Sequence, residues 1–418
     1  MSRPLDLDEQ VDDLVLVLDL VRHGRARTRP ELARRSGLGR TVVSARLARL
    51  LDADLVVEGE LGPSTGGRAP RELRFRAEAG AVLVAEVGAT GFAVGVTDLD
   101  GALREHRHRA WDVSAGPGAT LDRIADDLED LRGDVGDVAP LWGLGLGLPG
   151  PVEFASGRPV APPIMPGWDG HPVREHLADR FGVPVWVDNE VNTMALGELR
   201  HGVARGVSDL LYVKIGTGIG AGLVTGGRLH RGAQGAAGDL GHTAVHEDSG
   251  IVCRCGNRGC LEVLAGGGAL ARDAVTVARG GHSGRLAARL ADAGELTARD
   301  VVDAAREGDQ ESRRMLEHAG VLIGTTLSVA VNLVNPAMVL LGGQVGASSD
   351  QVLTAVREIV YRRSLPLATR ELRIEPSPLS GRAGLLGAAT MVVDELLSPT
   401  RLVRWLQDGS PVGRADLA

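Results

Sequence analysis

Cysteine, aromatic residues and lysine are scarce in this sequence of 418 residues, and the scarcity of cysteine excludes a class of protein. Three cysteines in so long a chain cannot form the disulfide framework of a small secreted domain. Aromatic residues make up 3% of the chain and Lys214 is its single lysine, whereas 58 glycines predict many tight turns. With 44% hydrophobic and 24% charged residues, the chain can bury large cores, which excludes disorder as its main state. Its length allows two or three domains.

The sequence also lacks the marks of a leader peptide and of a membrane span. Its N-terminus is acidic, with no positive region before an apolar stretch, so we expect no signal peptide. The uncharged stretch 319–349 has the length of a membrane span, but Asn332, Asn335 and Pro336 interrupt it. We interpret it as a buried helix, a proline turn and a buried strand, and we expect a cytoplasmic protein.

The charge is divided between a basic N-terminal region and an acidic remainder. Residues 22–49 contain nine arginines and one acidic residue, Glu31, which gives a local charge of +8. Residues 77–418 contain 32 basic and 42 acidic residues, a net charge of −10, and the whole chain carries −8. This balance argues against a protein coated with nucleic acid along its length, whereas a basic module can bind it locally.

Helical spacing in the basic region predicts a helix-turn-helix. Apolar residues over 14–21 indicate a first helix, and a helix over 29–36 follows with Thr28 as its N-cap. Gly37 ends that helix, and apolar residues at helical spacing indicate another helix over 41–52. Two short helices separated by a glycine turn are typical of DNA-binding modules whose second helix enters the major groove.

A two-stranded wing is predicted after the helices, from short apolar strands at 55–57 and 73–75 that flank a turn-rich segment. Arg40 and Arg49 suit phosphate contacts, and Arg46 could reach a guanine edge. The alternative is a small helical domain whose basic face is only solvated, but the local charge and the wing favour DNA binding. The predicted DNA-binding residues are Arg40, Thr41, Val42, Ser44, Ala45, Arg46, Arg49 and, at the wing tip, Arg68.

The chain beyond residue 81 has the pattern of an α/β protein, with glycine-rich strands alternating with helices. An apolar hairpin with a glycine near its start spans 86–103, and a second version spans 214–229. Such self-similarity at long separation predicts two duplicated lobes that face each other. Glycine loops let backbone N–H groups approach a phosphate, although a plain hairpin turn is the alternative. The candidate phosphate loop contains Gly216, Thr217, Gly218 and Gly220.

The strongest chemical signal is a cluster of one histidine and all three cysteines between residues 242 and 260. One imidazole and three thiolates form a tetrahedral zinc set, and Gly256 and Gly259 permit the tight turns that bring the thiolates together. Three buried free thiols are the alternative, but they would not explain cysteines clustered within eight residues. We expect one structural zinc ion per chain, held by His242, Cys253, Cys255 and Cys260.

Polar side chains suited to a sugar surround this cluster. Asp188, Asn189 and Glu190 follow the apolar strand 183–187, at a carboxyl end where α/β proteins form sites. Carboxylates, an amide and an imidazole offer donors and acceptors for several hydroxyl groups. Any one acidic residue taken alone is better explained by surface solvation. The candidate sugar-binding residues are Asn189, Glu190, Asp239, His242 and Glu262.

The chain resembles the ROK family (repressors, open reading frames, kinases) over nearly its whole length. The motifs are LPGP (148–151), VDNEVNTMALGE (187–198), IGTGIGAGLVTGGRLHRGAQGAAGDLGH (215–242), CRCGNRGCLE (253–262) and NPAMVLLGGQV (335–345). The glycine signature and the cysteine loop are together highly specific. The family implies a two-lobed, actin-like α/β body, and the N-terminal helix-turn-helix resembles that of the repressor branch. We expect a winged helix-turn-helix domain over 1–78, a sugar-kinase-like domain over 79–398 and a C-terminal tail over 399–418.

The resemblance also implies roles for residues of the cleft between the lobes. His242 would both bind zinc and face the sugar, since it falls where family members hold a hexose. Glu190 falls where kinase members place the aspartate that takes the proton from the attacking sugar hydroxyl. Residues 86–90 fall on their Asp-x-Gly-Gly-Thr phosphate loop. The other residues at hexose-holding positions are Asn189, Asp239 and Glu262.

Several of these positions depart from the family pattern. Glu190 and Glu86 are each one methylene longer than the expected aspartate. Ala89 adds a methyl group where phosphate approaches closely, and Asp239 replaces the usual glutamate. A general base must meet its hydroxyl at about 2.6–3.2 Å, and a displacement of about 1 Å can cost on the order of 100-fold in rate. The departures predict hydroxyl recognition without phosphoryl transfer, while the intact glycine loop leaves nucleotide binding open.

These features predict a sugar-responsive transcriptional repressor that is not an enzyme, with Glu190 at a degenerate base position. Its expected partners are double-stranded operator DNA and a small sugar or sugar derivative. Paired DNA-binding modules imply a homodimer or homotetramer. Two alternatives stay open: an ATP-dependent hexose or amino-sugar kinase fused to a DNA-binding domain, and a repressor that no longer responds to sugar.

Overall fold

The N-terminal module consists of three helices followed by two antiparallel strands. The computed structural model describes residues 7–61, 71–136 and 139–418. The elements of the module are α1 (Leu7–Arg22), α2 (Arg29–Ser36), α3 (Arg40–Asp52), β1 (Val56–Leu61) and β2 (Arg71–Phe75). The predicted helices and the two strands of the wing are confirmed, and the wing tip with Arg68 lies outside the described residues.

Helix α2 begins and ends at the residues that the sequence predicted. The Thr28 side chain accepts a hydrogen bond from the Glu31 amide, which satisfies a donor in the first turn. Gly37 ends the helix in a left-handed conformation at φ 73°. The short link that follows brings α3 into place as the second helix of the helix-turn-helix.

The first lobe of the body is built on a five-stranded sheet. Its elements are β3 (Ala81–Val87), β4 (Gly91–Asp98), β5 (Leu103–Ala110), α4 (Pro117–Val135), β6 (Leu141–Leu148), β7 (Val152–Glu153), β8 (Arg158–Pro159), α5 (Val173–Phe181), β9 (Val185–Asn189) and α6 (Glu190–His201). The strand order is β5-β4-β3-β6-β9, in which β3, β4 and β5 are antiparallel and β6 and β9 join in parallel. Every residue of β6 is buried, as expected for a sheet covered on both faces.

The second lobe repeats this arrangement. Its elements are β10 (Leu210–Ile215), β11 (Ile219–Thr225), β12 (Arg228–Leu229), α7 (Leu261–Ala265), α8 (Gly267–Arg279), α9 (Gly284–Ala293), α10 (Ala298–Arg306), α11 (Gln310–Val334), β13 (Met338–Gly342), α12 (Gly343–Gly346), α13 (Asp350–Arg363), α14 (Pro366–Thr369) and β14 (Arg373–Pro376). The strand order is β12-β11-β10-β13-β14, again an antiparallel meander joined by two parallel strands. The predicted duplication is therefore confirmed.

Two closely packed helices connect the lobes. Helix α6 contacts strands of both sheets, and α15 (Ala383–Leu396) packs along it. Glycines make this close packing possible: a Cβ at Gly387 would lie 1.6 Å from the carbonyl oxygen of Thr193. The packing fixes the start of α6 at the end of β9, where the predicted cleft residues lie.

Helix α11 contains much of the uncharged stretch that the sequence analysis interpreted as a helix, a turn and a strand. The helix ends at Val334, Asn335 adopts a left-handed conformation at φ 45°, and Pro336 leads into β13. Within the described ranges, α11 is the helix whose length and composition would allow a membrane span, which is weak evidence for one, and 44% of its apolar window is buried. The expectation of a buried helix holds for one face of α11, whereas Val329 and Leu333 on the other face are 58% and 78% exposed.

The C-terminal segment packs against the N-terminal module. Helix α16 (Pro399–Trp405) contacts α1, and the fully buried ring of Trp405 meets Trp142 edge-to-face at 5.3 Å. Arg22 at the end of α1 forms an ion pair with Asp394 of α15 at 2.6 Å. One cluster of buried apolar residues includes side chains of α1, α15 and α16. The module is therefore packed on the body rather than joined by a flexible tether.

Candidate functional site

A cleft between the lobes gathers the predicted sugar-binding residues. It encloses about 940 Å³, including its open mouth, and its wall includes the start of α6, the loop between β10 and β11 and the start of α7. Glu190 is buried, whereas Asp239 is exposed to solvent. Ala89 lines the cleft from the first lobe. The five candidates that line it are Asn189, Glu190, Asp239, His242 and Glu262.

Asn189 is held by protein groups at both ends of its amide. As the N-cap of α6, its Oδ1 accepts a hydrogen bond from the Val191 amide at 2.8 Å, and its Nδ2 donates to the Gly150 carbonyl at 2.7 Å. Because a side-chain amide has two N–H donors, one remains for a ligand hydroxyl. Asp188 is 1% exposed and pairs with Arg231 at 2.7 Å, so it supports the site from behind.

Glu190 forms an ion pair that the sequence analysis missed. Its Oε2 lies 2.5 Å from Nζ of Lys214, near the end of β10. The two side chains are 9% and 18% exposed, so solvent screens the pair little. The sequence contained one indication that this position is special, since Lys214 is the only lysine among 46 basic residues. The ion pair supplies a counter-charge to the carboxylate at the expected base position.

Glu86 occupies the position in β3 that Lys214 occupies in β10, one residue before the end of the strand. Burial, and secondly the negative charge of Glu190, raise the pKa of Glu86 to about 8, while Lys214 opposes the shift. Helix α15 packs directly on the carboxyl group, since a Cβ at Gly384 would lie 1.9 Å from its Oε2. The raised pKa favours the neutral acid at this position, and α15 covers one side of the carboxyl group.

Backbone amides of the glycine loop between β10 and β11 form hydrogen bonds within the second lobe. The Gly216 amide donates to the Gly218 carbonyl at 3.0 Å, and the Ile219 amide donates to Glu262 at 3.2 Å. A Cβ at Gly218 would lie 2.1 Å from Oε2 of Glu262, which explains a glycine there. Two amides that could face a phosphate are thus engaged within the protein. The members of the predicted phosphate loop that line the cleft are Thr217, Gly218 and Gly220.

The four candidate metal ligands converge on one point. One donor atom of each of His242, Cys253, Cys255 and Cys260 lies within 4.8 Å of the other three. The Sγ atoms of Cys255 and Cys260 are 3.7 Å apart, and Sγ of Cys253 lies 3.5 Å from Nδ1 of His242. Tetrahedral bonds of about 2.3 Å to sulfur and 2.0–2.1 Å to nitrogen require separations of roughly 3.8 and 3.6 Å. The donor set therefore fits a tetrahedral metal ion.

Backbone conformation and electrostatics in the cysteine loop both favour a bound cation. Gly256 and Gly259 adopt φ angles of +92° and +67°, which confirms the predicted tight turns. Burial, together with the neighbouring thiols, raises the pKa of Cys260 to about 12. Three thiolates can therefore share this loop only when a positive charge compensates them.

The cysteine loop is connected directly to the cleft. Glu262 follows Cys260 by two residues, and its amide donates to the Gly241 carbonyl at 2.9 Å. The carboxylate of Glu262 accepts a hydrogen bond from the Ile219 amide across the cleft wall. Because His242 follows Gly241, a fixed cysteine loop fixes two cleft residues, Glu262 and His242, relative to each other.

The exposed face of α3 carries most of the predicted DNA-binding residues, but Arg46 does not belong to it. The expectation that Arg46 is exposed is wrong, because its guanidinium is buried and lies 3.6 Å from Asp13 of α1. Helical spacing explains the error, since Arg46 shares the inner face with Val43 and Leu50. Val42 is half-buried. The exposed members of the predicted set within the described residues are Arg40, Thr41, Ser44, Ala45 and Arg49.

Comparison with known proteins matches residues 82–395 to a family model described as the ROK family. A xylose repressor of Caldicellulosiruptor bescii is 30% identical over 392 residues, which cover 93% of this chain and 97% of that protein. A glucokinase of Thermotoga maritima is 31% identical over 312 residues, which cover 74% of this chain and 96% of that protein. The crystal structure of a ROK family transcriptional regulator, a homologue of the Escherichia coli MLC protein, has a TM-score of 0.82 at 23% identity. It covers 96% of this chain and 100% of its own.

Proposed function

The chain belongs to the ROK family, and from this premise we propose that it is a sugar-responsive, DNA-binding transcriptional repressor. Its similarity to a xylose repressor extends over 93% of the chain and so includes most of the N-terminal module. The observation that carries the proposal is the packing of a winged helix-turn-helix directly against a body whose cleft gathers five polar side chains. A ligand that moves the body can then move the module.

The effector in this proposal is a small sugar or sugar derivative. Glu190, Asp239 and Glu262 offer acceptors for hydroxyl groups, and Asn189 offers one free N–H donor. His242 contributes its imidazole from the metal loop. Because these groups belong to both lobes, a sugar that contacts all of them favours a closed arrangement of the lobes.

A kinase is the second candidate, and the glycine loop and the glucokinase relative favour it. It would be an ATP-dependent hexose or amino-sugar kinase fused to a DNA-binding domain. The ion pair at 2.5 Å argues against it, since the ammonium group of Lys214 already engages the carboxylate that a general base must direct at a sugar hydroxyl. Helix α15 also packs on the carboxyl group of Glu86, where a Cβ at Gly384 would lie 1.9 Å from Oε2, which restricts the approach of a hydrated cation of a nucleotide. We therefore assign the cleft to binding without phosphoryl transfer.

The metal site is assigned one structural zinc ion per chain, held by His242 and the three cysteines. Four protein ligands fill the coordination sphere, whereas catalytic zinc keeps an open position. When bound, the ion supplies a positive charge that draws the three thiolates together. The ordered loop then positions Glu262 and His242 at the cleft.

Operator binding in this proposal requires two modules, and hence a homodimer or homotetramer. The exposed residues of α3 would meet half-sites about 34–36 Å apart, or a multiple of that distance. Closure of the lobes on a sugar would shift the modules, since α1 is packed on α16 and paired to α15. A changed spacing between the modules would then lower operator affinity.

The proposal is tested by measuring binding of the full chain to genomic operator fragments with a panel of pentoses, hexoses and amino sugars. We expect one sugar to lower operator affinity at least tenfold without consumption of ATP. Arg49→Ala should weaken binding at all sequences and flatten its salt dependence, whereas the exposed Arg132→Ala of α4 should not. Sugar-dependent ATP turnover at about 1–100 per second would favour the kinase instead, and no binding to any fragment would contradict the repressor.

A further inference from the structure

A second cavity lies at the junction of the DNA-binding module and the body, away from the sugar cleft. It encloses about 1560 Å³, including its open mouth. The module contributes residues 22–25 and 27 at the end of α1 and in the following loop. The body contributes the turn after β4 and the C-terminal end of α6 with the loop beyond it. A ligand bound here would therefore touch both parts of the molecule.

Arginine dominates the lining of this junction cavity. Its five arginines are Arg22, Arg25, Arg27, Arg200 and Arg205. Asp394 pairs with Arg22 at 2.6 Å and with Arg200 at 3.4 Å, which leaves three arginines to account for. Among the residues that the structure describes, those three side chains make no ion pair, and Asp100 is the one carboxylate in the lining. With Asp394 and Asp100 as their carboxylate partners, the five arginines leave an excess of positive charge in the cavity.

The electrostatic effect of these arginines is visible on two histidines in the same lining. Burial, and secondly the charges of Arg22, Arg205 and Arg200, lower the pKa of His201 to about 4. Burial and neighbouring arginines also lower the pKa of His23. Because part of the shift comes from arginine charge, the excess of arginine in the lining favours an anion in this cavity.

We propose that the junction cavity is a binding site for a phosphate group, either inorganic phosphate or the phosphate of a small monoester. Guanidinium groups match phosphate oxygens with paired N–H donors, and several of them can surround one dianion. Because most of the lining residues belong to the body, a small anion fits the cavity better than a DNA duplex does. A phosphate bridging Arg25 of the module and Arg205 of the body would hold the module in one position, and so couple a phosphorylated metabolite to operator affinity.

The first experiment titrates inorganic phosphate into the full chain by calorimetry in a phosphate-free buffer of constant ionic strength. We expect saturable binding that weakens at least tenfold in the double variant Arg25→Gln, Arg205→Gln. Both side chains are exposed, so the variant should fold, and unchanged thermal unfolding without phosphate checks this. Arg132→Gln, which removes one exposed arginine elsewhere, is the control. Absence of saturable binding, or binding that is equal in the double variant, would overturn the proposal.

The second experiment distinguishes the sources of the phosphate and excludes DNA as the occupant. Glucose 6-phosphate binding tighter than phosphate, and lost in the double variant but kept in Glu262→Gln, would assign a monoester to the junction. Equal affinity for both would assign inorganic phosphate. Loss of operator affinity in the double variant with phosphate binding unchanged would instead assign these arginines to DNA and overturn the proposal. The calorimetry does not depend on repressor activity, so it can fail or succeed independently of the proposed function.

Discussion

The contact between Lys214 and Glu190 makes each side chain depend on the other. Two charges that have lost most of their water are tolerated only while they are paired, and the loss of one partner leaves the other uncompensated. The pair spans the lobes, since Glu190 begins α6 and Lys214 lies in β10. It therefore contributes both to stability and to the position of a cleft carboxylate.

A double-mutant cycle tests this pair. We expect Lys214→Met to lower the free energy of unfolding by about 3–5 kcal/mol, because Glu190 would remain buried without a counter-charge. Glu190→Gln on that background should recover most of the loss, since a neutral amide needs no counter-charge. Chemical denaturation of the parent protein, both single variants and the double variant measures the coupling free energy. Additive effects of the two changes would contradict the pair.

Glu86 should give the protein a measurable dependence of stability on pH. Its pKa in the folded protein is about 8, above the 4.5 of an ordinary glutamate, so between these values the native state keeps a proton that the unfolded chain has lost. The stabilisation is fully present below pH 4.5 and is lost as the pH rises through 8, by up to about 1.4 kcal/mol per pH unit. Glu86→Gln should remove this slope.

Denaturation of the parent protein and of Glu86→Gln at several values from pH 5 to pH 8 measures the effect. The difference in free energy of unfolding should move in favour of the variant as the pH rises. The exposed Glu317→Gln controls for the loss of a carboxylate. A constant difference across the range would mean that Glu86 is already ionised at pH 5.

At the residue scale, sequence reasoning succeeds where the chemistry is local and fails where the partner is remote. The metal ligands were predictable, because histidine and cysteine are chemically distinctive and lie close together in the chain. Arg46 was assigned by residue type, although its helical position directs it inward. The role of Lys214 depends on a carboxylate from the other lobe, which no local pattern specifies.

At the scale of elements, the cysteine loop and α7 act as one unit. The loop sets where α7 begins, and Glu262 in its first turn reaches the glycine loop. Apolar spacing and the Thr28 cap predicted α2 and α3, and apolar patterns predicted the two hairpins, since these signals are carried by neighbouring residues. The exposed apolar face of α11 could not be predicted, because its second half has no charged residue to mark the side that faces solvent.

Replacing one thiolate should therefore affect the sugar cleft as well as the metal. We expect Cys255→Ser to lower zinc content well below one ion per chain and to weaken sugar affinity by about tenfold or more, since the loop positions Glu262 and His242. Metal analysis and sugar-induced release from operator DNA measure the two effects. Arg254→Ser, an exposed change in the same loop, should leave both unchanged. Full zinc occupancy in Cys255→Ser would contradict the ligand set.

At the scale of the whole molecule, the duplicated lobes were predictable but their junction with the module was not. Two hairpins of similar sequence indicated two similar lobes, and the identical strand orders bear this out. The packing of α1 on α16 joins residues from opposite ends of the chain. No periodicity or motif encodes such a contact, and it is the contact through which the body would move the module.

One end of the second lobe presents an exposed apolar patch. Val329 and Leu333 of α11 are 58% and 78% exposed, and Leu365 and Leu367 nearby are 68% and 74% exposed. A hydrogen bond from the Leu365 amide to Oδ1 of Asn332 holds the two segments together. Exposed apolar patches of this kind are typical of protein interfaces, and the proposed repressor requires at least two chains.

The pair of changes Leu333→Asp and Leu367→Asp should convert the proposed oligomer to smaller species. Charged side chains at the centre of an apolar interface would lose their water without gaining a partner, so association at micromolar concentration should weaken strongly. Analytical ultracentrifugation should show the change in mass, and operator affinity should fall because two half-sites are no longer bound together. Zinc content should stay the same, since the patch lies outside the cysteine loop. Val160→Asp, at an exposed valine of the first lobe, is the matched control. If the parent protein is a monomer on its operator, or if the double variant keeps the parent's mass, the subunits associate through another surface or not at all.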